Sequence, residues 1–399
     1  MRLASVRAAF DRRLDPTSAA PLAVGFSGGG DSLFLLKTAL DWARPHGRPV
    51  LALVVDHGLQ TGSDRWTAEA LAKARALGAE ARALVWTGDK PKTGLPAAAR
   101  RARHALLATA ARAAGARVLL LGHTASDLAE GAAMRAEGST VSDPREWTPS
   151  PVWPEGRDVF LLRPLLALSR DGIRQALAHQ DETWLDDPAN EDMRYARARA
   201  RAAGVGNASS VEIASLPLPR FTVDAVGTIR LPRDVAAAHL AAALLCAAGT
   251  ERPPRGERLE RLVQRIRSDE TFAATLSGAR IEAGDDVLIC RDAGETARGG
   301  LALLELAPGQ TGVWDGRWEV VAGDAPLTVV ALKGRAASLS VLDRARLAAI
   351  PASARPALPL ILSPLDGPEL APEGKARARL LVLGRFEAAV GLCDQESVT

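Results

Sequence analysis

From residue 20 to about 123, short apolar runs alternate with amphipathic stretches of helical length: PLAVGF, then 32–44, PVLALVV, then 63–77, ARALVW, then 96–114, and RVLLLGH. A strand that is apolar along its whole length has to be covered on both faces, and a helix between successive strands supplies the cover. The pattern predicts an α/β fold, an open, mainly parallel sheet with helices on both faces, whose ligands bind outside the carboxyl ends of the strands. Three of those ends carry polar residues: Ser27 to Ser32, Asp56 with His57, and His123. They are expected to converge on one site.

After Asp127 the alternation gives way to a loop rich in Pro, Glu and Trp, EGSTVSDPREWTPSPVWPEGRD, before order resumes at VFLLRPLLALS and a short helix over 169–179. The polar stretch AGVGNASS at 203–210 reads as an interdomain linker. Beyond it the sequence predicts a hairpin (221–231), two helices (233–248 and 255–267) and three short strands at FAATLSG, ARIEA and DVLICRD. The last hundred residues read as strands separated by glycines and prolines. The expected organisation is therefore a nucleotide-binding catalytic domain (1–202), a mixed helical/β middle domain (211–295) and a β-rich C-terminal domain (296–399). No internal repeat is evident.

With 399 residues, 47% hydrophobic and 24% charged, the composition is that of a globular protein with room for a large core. No apolar run approaches the ~18 residues of a membrane span. The N-terminal MRLASVRAAFDRRLDP is interrupted by Arg7, Asp11, Arg12 and Arg13 and lacks the apolar region of a signal peptide, so a cytoplasmic protein is expected. Cys246, Cys290 and Cys393 are far apart, which argues against a disulfide framework or a local cysteine metal site. Net charge is only +3, but lysine occurs at just six positions, so the basic residues are nearly all arginine. That bias is explained first by a GC-rich genome, and phosphate binding comes second.

The turn at 27–32, SGGGDS, joins a predicted buried strand to a helix. Such a turn turns backbone N–H groups, backed by the helix N-terminus, toward an anion, and phosphate is the natural guest. Tight packing alone would explain one or two of the glycines. The Walker pattern requires a Lys where Asp31 stands, and a GxGxxG begun at Gly28 would end on Leu33, although Asp56 imitates the ribose-binding acid of that motif. As written, the segment matches the SGGxDS loop of the PP-loop ATP pyrophosphatases, enzymes that cleave ATP to AMP and pyrophosphate.

Further segments narrow the resemblance. VDHGLQ (55–60), GLPAAARRARHALL (94–107), LLGHTASDLAE (120–130), LLRPLLALSR (161–170) and WLDDPANEDMRYARARAR (184–201) resemble, in order and spacing, the tRNA(Ile)-lysidine synthase family. The resemblance is strong over 20–201 and thinner beyond. It implies a ligase that forms a carbon–nitrogen bond, using ATP and Mg²⁺ to attach free L-lysine to the wobble cytidine of an isoleucine tRNA with a CAU anticodon. It implies ATP binding by Ser27, Gly28, Gly29, Gly30, Asp31, Ser32, Asp56 and His57, catalytic roles for Asp31, Arg103, His123, Asp127 and Arg197, and metal contacts at Asp31 and Asp127. His123 and Asp127 are four apart, so a helix beginning at this stretch would turn both to one side. Taken singly, a strand-end His is as well read as a polar cap, and an Asp near a helix start as a capping residue.

Arg100, Arg101, Arg103 and Arg112 share a predicted helix, and Arg194, Arg197, Arg199 and Arg201 follow DDPANED, where Asp186, Asp187, Asn190 and Asp192 are expected to orient the arginines. The chain departs from the family at Ser126, Gly131, His104 and Ala198, where Asp, Thr, Tyr and Asn are usual, and its RGSGxxGL segment is replaced by the Trp- and Pro-rich loop. A PP-loop enzyme that thiolates tRNA and a non-catalytic RNA-binding protein on the same scaffold remain alternatives. The oligomeric state, monomer or homodimer, is left open.

Overall fold

The computed structural model describes residues 2–136, 138, 143–185, 217–268, 270–364, 367–371 and 377–396. The chain divides into two compact units, one of residues 1–215 with 393–399 and one of residues 216–392.

The first unit is built on a six-stranded sheet in the order β3-β2-β1-β4-β6-β5. Its strands are β1 (Leu22–Gly25), β2 (Val50–Asp56), β3 (Glu80–Val85), β4 (Val118–Leu120), β5 (Trp147–Pro149) and β6 (Phe160–Leu162). All neighbouring pairs are parallel except β5 with β6, so β5 closes one edge antiparallel. The helices are α1 (Arg2–Arg13), α2 (Gly30–Ala43), α3 (Ser63–Ala76), α4 (Leu95–Ala113), α5 (Ala125–Ala136) and α6 (Arg170–Ala178).

Period-two alternation assigns the strand residues to opposite faces. Leu22, Val24, Val50, Ala52, Val54, Val118 and Leu120 pack with α1, α2, α3 and α6 residues such as Phe10, Leu36, Ala70 and Ile173. Ala23, Leu51, Leu53, Leu119 and Leu121 enter a second core with Leu107 and Ala111 of α4. Both faces of the central strands are thus covered, as their unbroken apolar sequence requires. At the β3 edge Glu80 and Arg82 keep the strand soluble.

β1 is followed by β2 and β3 on one side, after which the chain crosses to place β4 on the other. The carboxyl ends of β1 and β4 therefore flank the point where strand order reverses, the place where open α/β sheets bind ligands.

The C-terminal residues 393–396 belong to this same unit. Glu396 receives two bonds from Arg48, at 2.7 and 2.6 Å, in a pair with almost no solvent exposure. Its own N–H donates to Arg13 O at 2.8 Å, and the Trp147 indole donates to Cys393 O at 2.7 Å.

The second unit is antiparallel. One sheet, in the order β7-β8-β11-β10-β9, consists of β7 (Thr222–Val223), β8 (Ile229–Leu231), β9 (Phe272–Leu276), β10 (Ala279–Ala283) and β11 (Val287–Arg291). It packs with α7 (Ala237–Ala248) and α8 (Glu257–Arg267). β12 (Leu304–Leu306), β15 (Leu327–Ala331), β16 (Pro359–Leu362) and β17 (Glu369–Leu370) form a four-stranded sheet. A three-stranded sheet is made of β13 (Thr311–Trp314), β14 (Trp318–Val321) and β18 (Arg377–Leu380). Helix α9 (Val341–Ala349) follows β15, and α10 (Val382–Val390) follows β18.

The expected hairpin, two helices and three strands are all present. The division expected at 295/296 does not separate two compact units. Val382 and Phe386 of α10 are fully buried in the core of Ile229, Leu244 and Ile281, so the end of the unit completes its beginning. The linker expected at 203–210 lies outside the described residues. No helix is long and apolar enough to cross a membrane, among the described residues.

Candidate nucleotide site

β1 ends at Gly25, and the chain turns through Ser27, Gly28 and Gly29 into α2, which begins at Gly30. The turn is held by its own serines: Ser32 Oγ donates to Gly29 O at 2.9 Å, accepts from Ser27 N at 3.2 Å and lies 3.2 Å from Ser27 Oγ. These bonds fix a loop whose amides lead into the N-terminus of a fourteen-residue helix, where a phosphate is favoured by both donors and dipole.

The glycines also serve packing. Gly28 has φ of +83° and its carbonyl accepts from Leu185 N at 3.0 Å; a Cβ there would meet Leu185 Cδ1 at 2.6 Å. A Cβ at Gly30 would meet the Trp184 ring at 3.6 Å. The segment carrying these side chains is pinned by Glu182, which accepts from Lys37 and Lys73 at 2.6 Å each.

Asp31 occupies the first turn of α2. Its Oδ2 accepts from Arg170 Nε at 3.2 Å, whereas Oδ1 is buried with no hydrogen-bond partner. Burial raises the Asp31 carboxyl above its ordinary pKa, and Arg170 only partly offsets this. A cation at Oδ1 would complete the compensation. Among the described residues no group of three or more His, Cys, Asp or Glu could enclose a metal alone, so a cation at Asp31 would take further ligands from phosphate and water, the usual habit of Mg²⁺. Asp31 therefore fits such an ion.

β4 exits beside this turn. A Cβ on Gly122 would lie 3.2 Å from Asp31 O, so the absence of a side chain allows the two strand ends to approach. His123 follows, half-buried, but α5 begins only at Ala125. The helical i, i+4 relation expected between His123 and Asp127 is therefore not formed, because His123 precedes the helix. Asp127 instead caps α5. Its Oδ2 accepts from Thr124 N and Oγ1 at 2.8 and 2.9 Å while Asp127 N donates to Thr124 O at 3.1 Å, a reciprocal cap. Its Oδ1 lies 3.7 Å from Arg170 Nη2.

Arg170, the first residue of α6, draws these elements together. It bonds Asp31 through Nε, bonds Glu130 Oε1 through Nη1 at 2.9 Å and faces Asp127 through Nη2. Its N–H reaches Ser126 Oγ at 3.4 Å, so the serine found where the family usually has aspartate supports α6. Burial alone would lower the Arg170 pKa, but the Glu130 bond and the charges of Asp127 and Asp31 more than reverse this, and the guanidinium stays charged. Neither Arg170 nor Glu130 was assigned a role from sequence. The available signal for Glu130 was its position three residues after Asp127 on a helix.

Of the remaining expected residues, Asp56 and His57 stand at the carboxyl end of β2, on the same edge as the turn, and Arg103 lies within α4. Asp56 closes β2 and accepts from Gly58 N at 2.8 Å, while the His57 ring meets Trp86 edge-on at 6.1 Å. On α4, Arg103 is half-buried beside buried His104. Burial, followed by the Arg100, Arg103 and Arg163 charges, drives His104 down to about 3, so the imidazole is neutral at pH 7. Arg163, immediately after β6, is lowered to about 10 by burial and by Arg100 but stays protonated; it donates to Arg145 O and Thr148 Oγ1. Arg197, with Arg194, Arg199, Arg201, Asp186, Asp187, Asn190, Asp192 and Ala198, lies outside the described residues.

An open parallel sheet with a serine-fixed glycine loop at its switch point defines a PP-loop nucleotide-binding domain, and the PP-loop domain family matches residues 3–205. Over the whole of both chains the sequence is 70% identical to the tRNA(Ile)-lysidine synthase of Caulobacter vibrioides. It is 38% identical to that of Hyphomonas neptunium, over 68% of this chain and 80% of the relative, and 33% identical to that of Rhizobium meliloti, over 93% and 87%. The chain belongs to the tRNA(Ile)-lysidine synthase family of PP-loop proteins.

Proposed function

We propose that this chain ligates free L-lysine to C2 of the wobble cytidine in an isoleucine tRNA bearing a CAU anticodon, so that the tRNA reads AUA codons. The C2 carbonyl oxygen attacks the α-phosphorus of ATP, pyrophosphate leaves, and the lysine amine then displaces AMP as the new C–N bond forms. The observation that carries the reading is the glycine loop with Asp31 at the switch point of the sheet, in a chain 70% identical along its length to a protein of that name.

Ser27, the amides of Gly28 to Ser32 and the α2 N-terminus would hold the ATP phosphates. Asp31 would hold Mg²⁺ through Oδ1, and Mg²⁺ supplies neutralisation of the charge that builds on the phosphates. Asp56 and His57, at the end of β2, would border the nucleoside. His123 would contact phosphate or cytidine from the β4 exit. Three carboxylates gathered on Arg170 leave Asp127 and Glu130 in an acidic cluster suited to the lysine ammonium. Arg103 and Arg197 would contact the tRNA near the reacting base, and the middle and C-terminal regions, 211–295 and 296–399 apart from the docked 393–396, would grip tRNA elsewhere. A cytoplasmic enzyme acting as monomer or homodimer is consistent with these roles.

Purified protein, ATP, labelled lysine and tRNA should give label in RNA together with lysine-dependent AMP release. Asp31→Ala should slow pyrophosphate release by roughly 10²-fold or more while tRNA binding persists. RNA that stays unlabelled under conditions where ATP is consumed would overturn the choice of lysine as nucleophile.

A further inference from the structure

We infer that Arg170 is a positioning residue for the nucleotide's metal: it holds one carboxylate oxygen of Asp31 so that the other stays turned toward the cation. This rests on the reading of Asp31 as the ligand of Mg²⁺·ATP. The two Asp31 oxygens are not equivalent, since Oδ2 is bonded to Arg170 Nε at 3.2 Å while Oδ1 is buried with no partner. A carboxylate fixed at one oxygen offers the other in a single orientation, and losing such an outer partner typically costs about ten- to a hundredfold in metal affinity.

Arg170 is itself held in place. Nη1 bonds Glu130, Nη2 faces Asp127, the side chain is only 16% exposed and the backbone N–H is received by Ser126. Its three nitrogens thus address three carboxylates, one on α2 and two on α5. No lysine could make all three contacts, because its ammonium is a single point rather than a planar fork.

Simple electrostatics predicts the opposite effect of losing Arg170. Removing a positive charge next to Asp31 should tighten cation binding, whereas loss of orientation should weaken it. Arg174 provides the comparison, because its charge also acts on Asp31 while its guanidinium lies over the Trp184 ring, 5.9 Å from the centroid.

The test is Mn²⁺ binding to the full-length protein with ATP, followed by electron paramagnetic resonance without tRNA or lysine. Arg170→Met should weaken Mn²⁺ about ten- to a hundredfold, with Arg170→Lys between it and wild type, while Arg174→Met leaves affinity unchanged or tighter. Thermal melting confirms that each variant is folded, and Arg170→Lys retains the charge if the Met variant does not fold. Mn²⁺ bound by folded Arg170→Met or Arg170→Lys as tightly as by wild type, or more tightly, would overturn the inference. Asp31→Asn separates the two levels: if it fails to weaken Mn²⁺, the metal assignment itself falls; if it weakens Mn²⁺ while the Arg170 variants do not, only the role of Arg170 falls.

Discussion

Glu396→Gln is expected to destabilise the catalytic unit by about 3 kcal/mol, a large effect for a single substitution. The Arg48 guanidinium is wholly buried, gives Nε to Ala20 O at 2.7 Å and Nη1 to Asp15 O at 3.0 Å, and depends on Glu396 for its counter-charge. Breaking one partner of such a pair costs about 3–5 kcal/mol because the other charge stays buried. Glutamine keeps one acceptor but presents an amide donor where the second carboxylate oxygen stood, which sets the estimate near the lower end. Relief by undocking of residues 393–396 has its own cost: the Trp147–Cys393, Arg13–Asp394 and Glu396–Arg13 bonds are lost, at about 1 kcal/mol each. Urea unfolding read by tryptophan fluorescence measures the loss, with Trp147 reporting directly on the docked segment. For a unit of this size 3 kcal/mol corresponds to a fall in Tm of about 6–12 °C. A change under about 0.5 kcal/mol would refute the reasoning, and Arg48→Met with Glu396→Leu should recover most of the loss.

Gly28→Ala should introduce about 1–2 kcal/mol of backbone strain at φ +83° and push Leu185 from the loop, weakening ATP on the order of tenfold; a lower Tm with unchanged ATP affinity would mean that the glycine serves packing alone. His104 is neutral in the folded state down to about pH 3 and protonates near 6.5 when unfolded, so its contribution is complete above about 6.5 and is lost as pH falls toward 3. The slope is about 1.4 kcal/mol per pH unit at most, and a His104→Phe variant should show a flatter acid limb in pH-dependent melts. Arg103→Ala and Arg197→Ala should slow modification of isoleucine and methionine tRNAs with the same CAU anticodon equally, by about five- to a hundredfold, because contacts near a shared base cannot distinguish them. Rates on the two purified tRNAs at fixed salt check this, and a collapse of the preference ratio would place discrimination near the reacting base.

The alternation in the first 123 residues was legible because each central strand is apolar on both faces, and burial on both faces is what a parallel sheet needs. Helix α1 is written in the same code: Val6, Ala9 and Phe10 at helical spacing describe a buried face. A boundary at 295/296 follows from local pattern, which cannot see that α10 returns its Val382 and Phe386 to a core begun about 150 residues earlier.

At the site, what could be read from sequence was what neighbours in sequence do together. Ser27, Gly28 and Ser32 make one turn and announce it as SGGGDS; Thr124 and Asp127 make one cap and announce it as T-x-x-D. Arg170 ends the LLRPLLALSR segment but its role is not written there, because its partners stand 139, 43 and 40 positions away and only the order of the strands makes them adjacent. The same distance explains why Asp127 was read as a ligand or as a cap, when its two oxygens divide those tasks. Oδ2 is spent on Thr124, and only Oδ1 faces the cluster. A carboxylate so divided can guide a cation from one side, which makes Asp31, with a whole oxygen buried and unmatched, the stronger candidate for the metal.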